Sequence, residues 1–214
     1  MPHTYLDYNA TALVWPEVVE TVSRALVEPG NASSIHNDGR AARRLVEEAR
    51  EKVATLVNSR PEQVIFTSGG TEANNLAMLQ VGSKETTISS IEHESIRRFY
   101  GGELQLDVDS DGVIEVDSLP EEKVELVSLM LANNETGVVQ PVKRLAEVCR
   151  ERGMIVHTDA IQAAGKIKVD WQDLGVQMMS LSAHKLGGPQ GVGALIFDDS
   201  LNFVPLIKGG GQER

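Results

Sequence analysis

The chain has 214 residues, of which 41% are hydrophobic and 24% charged, enough to enclose a sizeable apolar core. Its 20 Lys and Arg against 31 Asp and Glu leave a formal net charge of −11, which gives nucleic-acid phosphates and anionic membrane surfaces no global attraction. No apolar run approaches the roughly 20 residues that span a bilayer, the opening MPHTYLDYN lacks the charged-then-apolar order of a secretory leader, and one cysteine cannot close an intrachain disulfide. These features point to a cytoplasmic protein that handles small molecules.

In chain order, PEVVETVSRALVE (16–28) has helical spacing, and PGNASSIHNDG (29–39) is a polar loop that could equally line a site or connect two elements at the surface. A long helix is predicted from Asp38 and Gly39, where Ala42, Leu45, Val46, Ala49, Val53, Leu56 and Val57 recur at three- and four-residue steps. VIFTS (64–68) then reads as a buried strand, and GGTEANNLAML (69–79) as a turn running into a helix. TTISS, ELQLDV, LVSLM, IVHTD, MMSLS and GALIF read as further strands, with a helix from Val142 to Arg152. Several strands are unbroken apolar runs, as expected when both faces are covered. The expectation is an α/β fold: a doubly wound, mostly parallel seven-stranded sheet with helices on both faces. No linker or repeat interrupts it, so residues 1–214 are read as one domain, with residues 1–35 free to pack elsewhere.

In open α/β sheets ligands bind beyond the carboxyl ends of the strands, so the polar residues following apolar runs are the candidates. Gly70 and Thr71 open a helix whose free N–H groups could receive a phosphate, although a plain turn capped by Thr71 has the same pattern. G-x-G-x-x-G and the P-loop pattern are absent, and the glycines of GGPQGVG precede a strand instead of following one. His93, in IEHES, could stack on an aromatic ring or relay a proton, or simply cap the next helix. Asn134, in ANNETG, could hydrogen-bond a ligand oxygen or shape a turn. Asp159 ends an apolar strand, where a carboxylate needs a cationic or hydrogen-bonding partner, and a protonated pyridine nitrogen would serve. His157 and Asp159 share a strand face and could ligate a metal, but no further cluster at ligand spacing supports that. Ser182, His184 and Lys185 leave a strand together, and Lys185 could be a solvated cation or a desolvated Schiff-base amine.

Taken together, YLDYNATA, GNASSIH, FTSGGTEANNLA, IEHES, NNETGVVQPV, HTDAIQAAGK, SAHKLGGPQGVGAL and GGGQER resemble, in that order, the large domain of the cysteine desulfurases. These belong to the class V aminotransferase group of fold-type I pyridoxal-phosphate enzymes. The resemblance implies that pyridoxal 5'-phosphate is held as a Schiff base on Lys185, and that Ser182, His184, Gly70 and Thr71 hold its phosphate. It further implies that His93 stacks on the ring and moves protons, that Asp159 pairs with the ring nitrogen, and that Gln162 and Asn134 bond the 3-oxygen side. L-cysteine would be the substrate, its sulfur passing through a persulfide to a sulfur-acceptor or scaffold protein for iron–sulfur cluster assembly or thiolation, and the enzyme would be a homodimer.

Members of that family continue into a small C-terminal domain with a catalytic cysteine loop and a substrate-binding arginine, whereas this sequence stops at Arg214. Its only cysteine, Cys149, has helical spacing with Leu145 and Ala146 and reads as a buried apolar residue. The expectation is therefore a truncated desulfurase whose cofactor pocket is kept and whose nucleophilic loop is missing. NASS in place of Asn-Pro, LVW after DYNATA, and Gln190 in place of a common lysine are smaller departures. A selenocysteine lyase or an aminotransferase of the same class remains an alternative, as does a non-catalytic dimerising module.

Overall fold

A computed structural model describes residues 4–81, 85–100, 105–120, 124–210 and 213. Helix α1 (Pro16–Val27) begins with a proline, whose fixed φ suits the first helical position. It buries none of its residues, and Val19, Val22 and Leu26 stay exposed. Helix α2 (Asn37–Val57) starts one residue before the expected Asp38, because His36 caps it by accepting the Gly39 N–H at 3.4 Å. It ends at Asn58 in the left-handed region.

The sheet holds β1 (Val64–Thr67), β2 (Thr86–Ser89), β3 (Gln105–Leu106), β4 (Leu126–Ser128), β5 (Ile155–Asp159), β6 (Met178–Ser182) and β7 (Gly193–Phe197), in the order β1-β7-β6-β5-β4-β2-β3. All pairs from β6 through β5, β4 and β2 to β3 are parallel. Strand β7 is antiparallel to both β1 and β6, so it alone runs the other way. The mostly parallel seven-stranded sheet expected from the sequence is therefore present. Of ELQLDV, only Gln105 and Leu106 form strand; Val108 instead bridges Ile114, and Glu103 and Leu104 lie outside the described residues.

Alternate strand residues feed two cores, as the period of two requires. Ile65, Ile88, Leu126, Met178, Leu195 and Phe197 meet Ala73, Leu76 and Ala77 of α3 (Gly70–Leu79) and Ile96 of α4 (Glu94–Arg97). Val64, Val127, Val156, Met179 and Ile196 meet Ala54 and Val57 of α2 and Leu145, Ala146 and Cys149 of α5 (Val142–Glu151). Trp171 of α6 (Trp171–Leu174) joins the second core. Helices thus cover both faces.

Two close approaches fix the end of the sheet where the site lies. A Cβ on Gly193 would sit 2.6 Å from the Gly69 carbonyl carbon, so only glycine lets β7 begin against the turn that opens α3. On the outer edge of β1, Arg50 donates to the Val64 carbonyl at 2.5 Å while Glu213 accepts the Phe66 N–H at 2.8 Å. Those two side chains pair with each other at 2.8 Å and occupy the backbone groups that a further strand would otherwise engage.

Candidate active site

The carboxyl ends of β2, β4, β5 and β6, together with the turn after β1, open into one cavity of about 380 Å³, within the range of small-ligand sites. Lys185, His93, Gly70, Thr71, Asn134, Asp159, Gln162, Ser182 and His184 all line it. The topology accounts for that convergence: each of these residues ends a strand, or follows within a few positions one, that runs toward the same end. The polar loop 29–39 lies elsewhere. Its Gly30 and Asp38 border a groove between α1 and α2.

Asp159 is 5% exposed, at the last position of β5. Its Oδ1 accepts the Ile161 N–H at 2.9 Å, and its Oδ2 accepts from Asn74 Nδ2 at 2.8 Å. Burial raises its pKa, opposed by those two donors and by the nearby His93 and Lys185 side chains. The carboxyl is therefore presented to the cavity with both oxygens in use as acceptors, a setting that suits a cationic N–H.

Lys185 follows β6 in a single 3₁₀ turn, Ala183–Lys185. Its Nζ donates to the carbonyls of Asn9 and, at 2.8 Å, Ala10. Burial and the nearby Lys166 ammonium lower its pKa, against Asp159 and Asp7, which raise it. Both leading causes favour the neutral, nucleophilic amine. His184 Nδ1 lies 3.2 Å from Thr11 Oγ1, and its pKa is lowered by burial and then by Lys185.

Gly70 opens α3 beside Ser182. A Cβ there would come within 2.2 Å of Ile161 Cδ1 and 3.4 Å of Ser182 Cβ, so the missing side chain keeps open a cradle between helix N-terminus and strand end. Free N–H groups, the Thr71 and Ser182 hydroxyls and the His184 ring make a donor set suited to a phosphate. Gln162 Nε2 donates to the Asn9 carbonyl at 2.8 Å, and Asn134 Nδ2 to Glu135 Oε1 at 2.8 Å.

His93 both lines the cavity and caps α4: its Nδ1 accepts the Ser95 N–H at 3.1 Å and contacts Ser95 Oγ at 2.8 Å. His157 does not face a ligand. Its ring is buried between Ser128 Oγ and Ser180 Oγ on neighbouring strands, each at 2.9 Å from a ring nitrogen, and burial pushes its pKa down to about 3. Both nitrogens that a metal could use are thus occupied within the sheet. Cys149 faces the α2–α5 core, fully buried, with its thiol pushed up to about 11 by that burial.

Sequence reasoning gave no role to Asn9, Asn74 or Ser95. The segment YNAT crosses the cavity mouth, where Asn9 receives Lys185 and Gln162 on its carbonyl and Lys166 on Oδ1, and donates through Nδ2 to the Asn134 carbonyl. Asn74 stands three residues after Thr71, one helical turn further along the same face, and that spacing could have found it.

Residues 4–214 match the family described as Aminotransferase class-V. The chain is 41% identical to a cysteine desulfurase IscS of Dictyoglomus turgidum (strain DSM 6724 / Z-1310), over 98% of this chain and 58% of that protein. Among solved structures it is similar to a NifS-like protein from Rickettsia africae ESF-5, with a TM-score of 0.91 and 33% identity over 98% of this chain and 62% of that one. It is also similar to SspA in complex with cysteine, with a TM-score of 0.92 and 32% identity over 99% of this chain and 66% of that one. The chain therefore spans less than two thirds of the length of each.

Proposed function

Since the chain belongs to the class-V aminotransferase family, we propose that it is the pyridoxal-phosphate-binding part of a cysteine desulfurase, a cytoplasmic homodimer that takes sulfur from L-cysteine and passes it to a sulfur-acceptor or scaffold protein. The observation that carries this reading is the pairing, across one cavity, of a buried carboxyl, Asp159, with a partly desolvated amine, Lys185. The open cradle at Gly70 supports the same reading.

Pyridoxal 5'-phosphate, when bound, supplies a ring that withdraws electrons from the bonds of an attached amino acid. Lys185 Nζ would hold its carbonyl carbon, and as a partly desolvated amine would be placed to accept or return a proton beside it. Asp159 would keep the ring nitrogen protonated. Gly70 N, Thr71, Ser182 and His184 would bind the phosphate, offsetting its charge within a chain that is acidic overall. His93 would cover the ring and hold a proton at Nε2, while Gln162 and Asn134 would bond the 3-oxygen side. Cys149 is excluded as the sulfur-accepting thiol by its depth in the core, so that thiol is assigned to a residue outside these 214.

The test is to incubate the purified chain with pyridoxal phosphate, reduce with borohydride and map the adduct. The expected outcome is a single modified residue, Lys185, lost in Lys185→Ala. An adduct on Lys166 or Lys208, or none, sinks the proposal. Alanine and sulfide formed from L-cysteine by the chain within its longer parent would separate a desulfurase from an aminotransferase.

A further inference from the structure

The geometry points to Asn74 as a positioning residue that sets, with one carboxamide, both the buried carboxyl of Asp159 and the ring of His93. Asn74 is fully buried on the first turns of α3. Its Nδ2 donates to Asp159 Oδ2 at 2.8 Å and to Ser95 Oγ at 2.9 Å, so both amide hydrogens are used. Its Oδ1 is buried with no hydrogen-bond partner among the described residues. An amide that leaves its acceptor unsatisfied while spending both donors on two site residues is placed for those donors. The reversed amide would set Oδ1 against the carboxyl and is disfavoured by like partial charge.

The direction of each bond follows from that choice. The Ser95 N–H can only donate, so His93 Nδ1 is an acceptor and the neutral ring carries its proton on Nε2. Ser95 Oγ, already accepting from Asn74, turns its own hydrogen toward Nδ1, 2.8 Å away. The next residue, Asn75, fixes the same corner by donating to the Ser95 carbonyl at 2.9 Å. The chain from Asp159 through Asn74 and Ser95 to His93 therefore joins the group that would meet the ring nitrogen to the group that would cover the ring face. Only that last correspondence rests on the proposed cofactor reading; the network itself does not.

The test is the Asn74→Leu variant, which has the same branching, a larger side chain and no donors, with two readouts. In the cofactor-free chain, the side-chain ¹⁵N resonance of neutral His93 Nδ1 should move toward that of an unbonded imidazole nitrogen, as it should in Ser95→Ala but not in Ser95→Thr. Pyridoxal phosphate, titrated into the apoprotein, should bind at least tenfold more weakly to Asn74→Leu than to wild type. An unchanged His93 resonance in a folded Asn74→Leu chain overturns the positioning role, even if the unfolding midpoint has dropped. If Asn74→Leu does not fold, the Ser95 pair decides: equal resonances in Ser95→Ala and Ser95→Thr overturn it. Absence of pyridoxal phosphate binding by wild type would instead sink the proposed function, with the resonance still judging Asn74.

Discussion

Glu92 gives the sharpest test of the electrostatics behind this site. Its carboxyl is 3% exposed: Oε1 accepts from Ser89 Oγ and from the Met130 N–H, each at 2.7 Å, while Oε2 is buried without a partner among the described residues. Burial, with the Asp159 charge adding to it, pushes the pKa up to about 8 from 4.5, against the two donors that lower it. Folding thus takes up a proton between those values. The associated stability is present in full below about pH 4.5 and is lost as pH rises toward about 8, at roughly 1.4 kcal/mol per unit, on the order of 5 kcal/mol in all. Glu92→Gln keeps the Oε1 acceptor and cannot ionise. In urea titrations it should lie within about 2 kcal/mol of wild type near pH 5, the scale of one changed buried polar group. It should then gain on wild type by several kcal/mol as pH approaches about 8, with Asp159, common to both chains, cancelling to first order. A wild-type-to-variant difference that stays constant over that range would refute the assignment of a neutral Glu92.

His157 titrates with the opposite sign: its folded pKa, pushed down to about 3 by burial, means that stability is full above about 6.5 and is lost as pH falls toward about 3. Acid unfolding followed by circular dichroism should begin in that window, and His157→Leu should flatten the profile while costing about 2 kcal/mol near neutrality, because Ser128 and Ser180 lose their partner. Gly193→Ala should destabilise by about 3 kcal/mol in the same titrations, since the added Cβ meets Gly69 backbone that cannot turn aside. Glu213→Ala should cost about 1–3 kcal/mol, leaving Arg50, at 10% side-chain exposure, with Glu47 at 3.2 Å as its remaining carboxylate, and should speed hydrogen exchange at the Phe66 amide. Gly70→Val should weaken pyridoxal phosphate binding at least tenfold with little change in the unfolding midpoint, because the flexible Ile161 side chain can yield but the cradle is filled.

The strands were legible because their apolar runs are unbroken and end at polar residues, and the cavity was legible because it collects those ends. What could not be read were contacts between segments far apart in the chain. Asn9 receives Lys185 across 176 positions, and no local pattern in DYNAT announces it. Nothing local in IEHES marks Glu92 as its buried member, which it is because its carboxyl turns back to the β4 end while His93 turns out to cap α4. Asn74 and Asn75 are adjacent and identical in type, but the helix gives the first the site and the second a carbonyl of the neighbouring turn. The antiparallel sense of β7 was likewise invisible, since a buried apolar run carries no direction.

That sense of β7 bears directly on the lysine. A parallel β7 would require a crossover after β6, carrying the chain across the sheet to its far end. Because β7 returns beside β6, residues 183–192 form a loop that stays at the carboxyl end, pinned by the Ala183 N–H to the Val192 carbonyl at 3.1 Å. Lys185 is thereby held between two strand ends and beneath the YNAT segment, where burial and Lys166 depress its pKa. The chain's net charge of −11 says nothing against an anionic ligand here. The free N–H groups at the amino end of α3, with the Thr71, Ser182, His184 and Lys185 side chains beside them, give an anionic group hydrogen-bond donors within the cavity, and solvent screens the charges that lie well away from it.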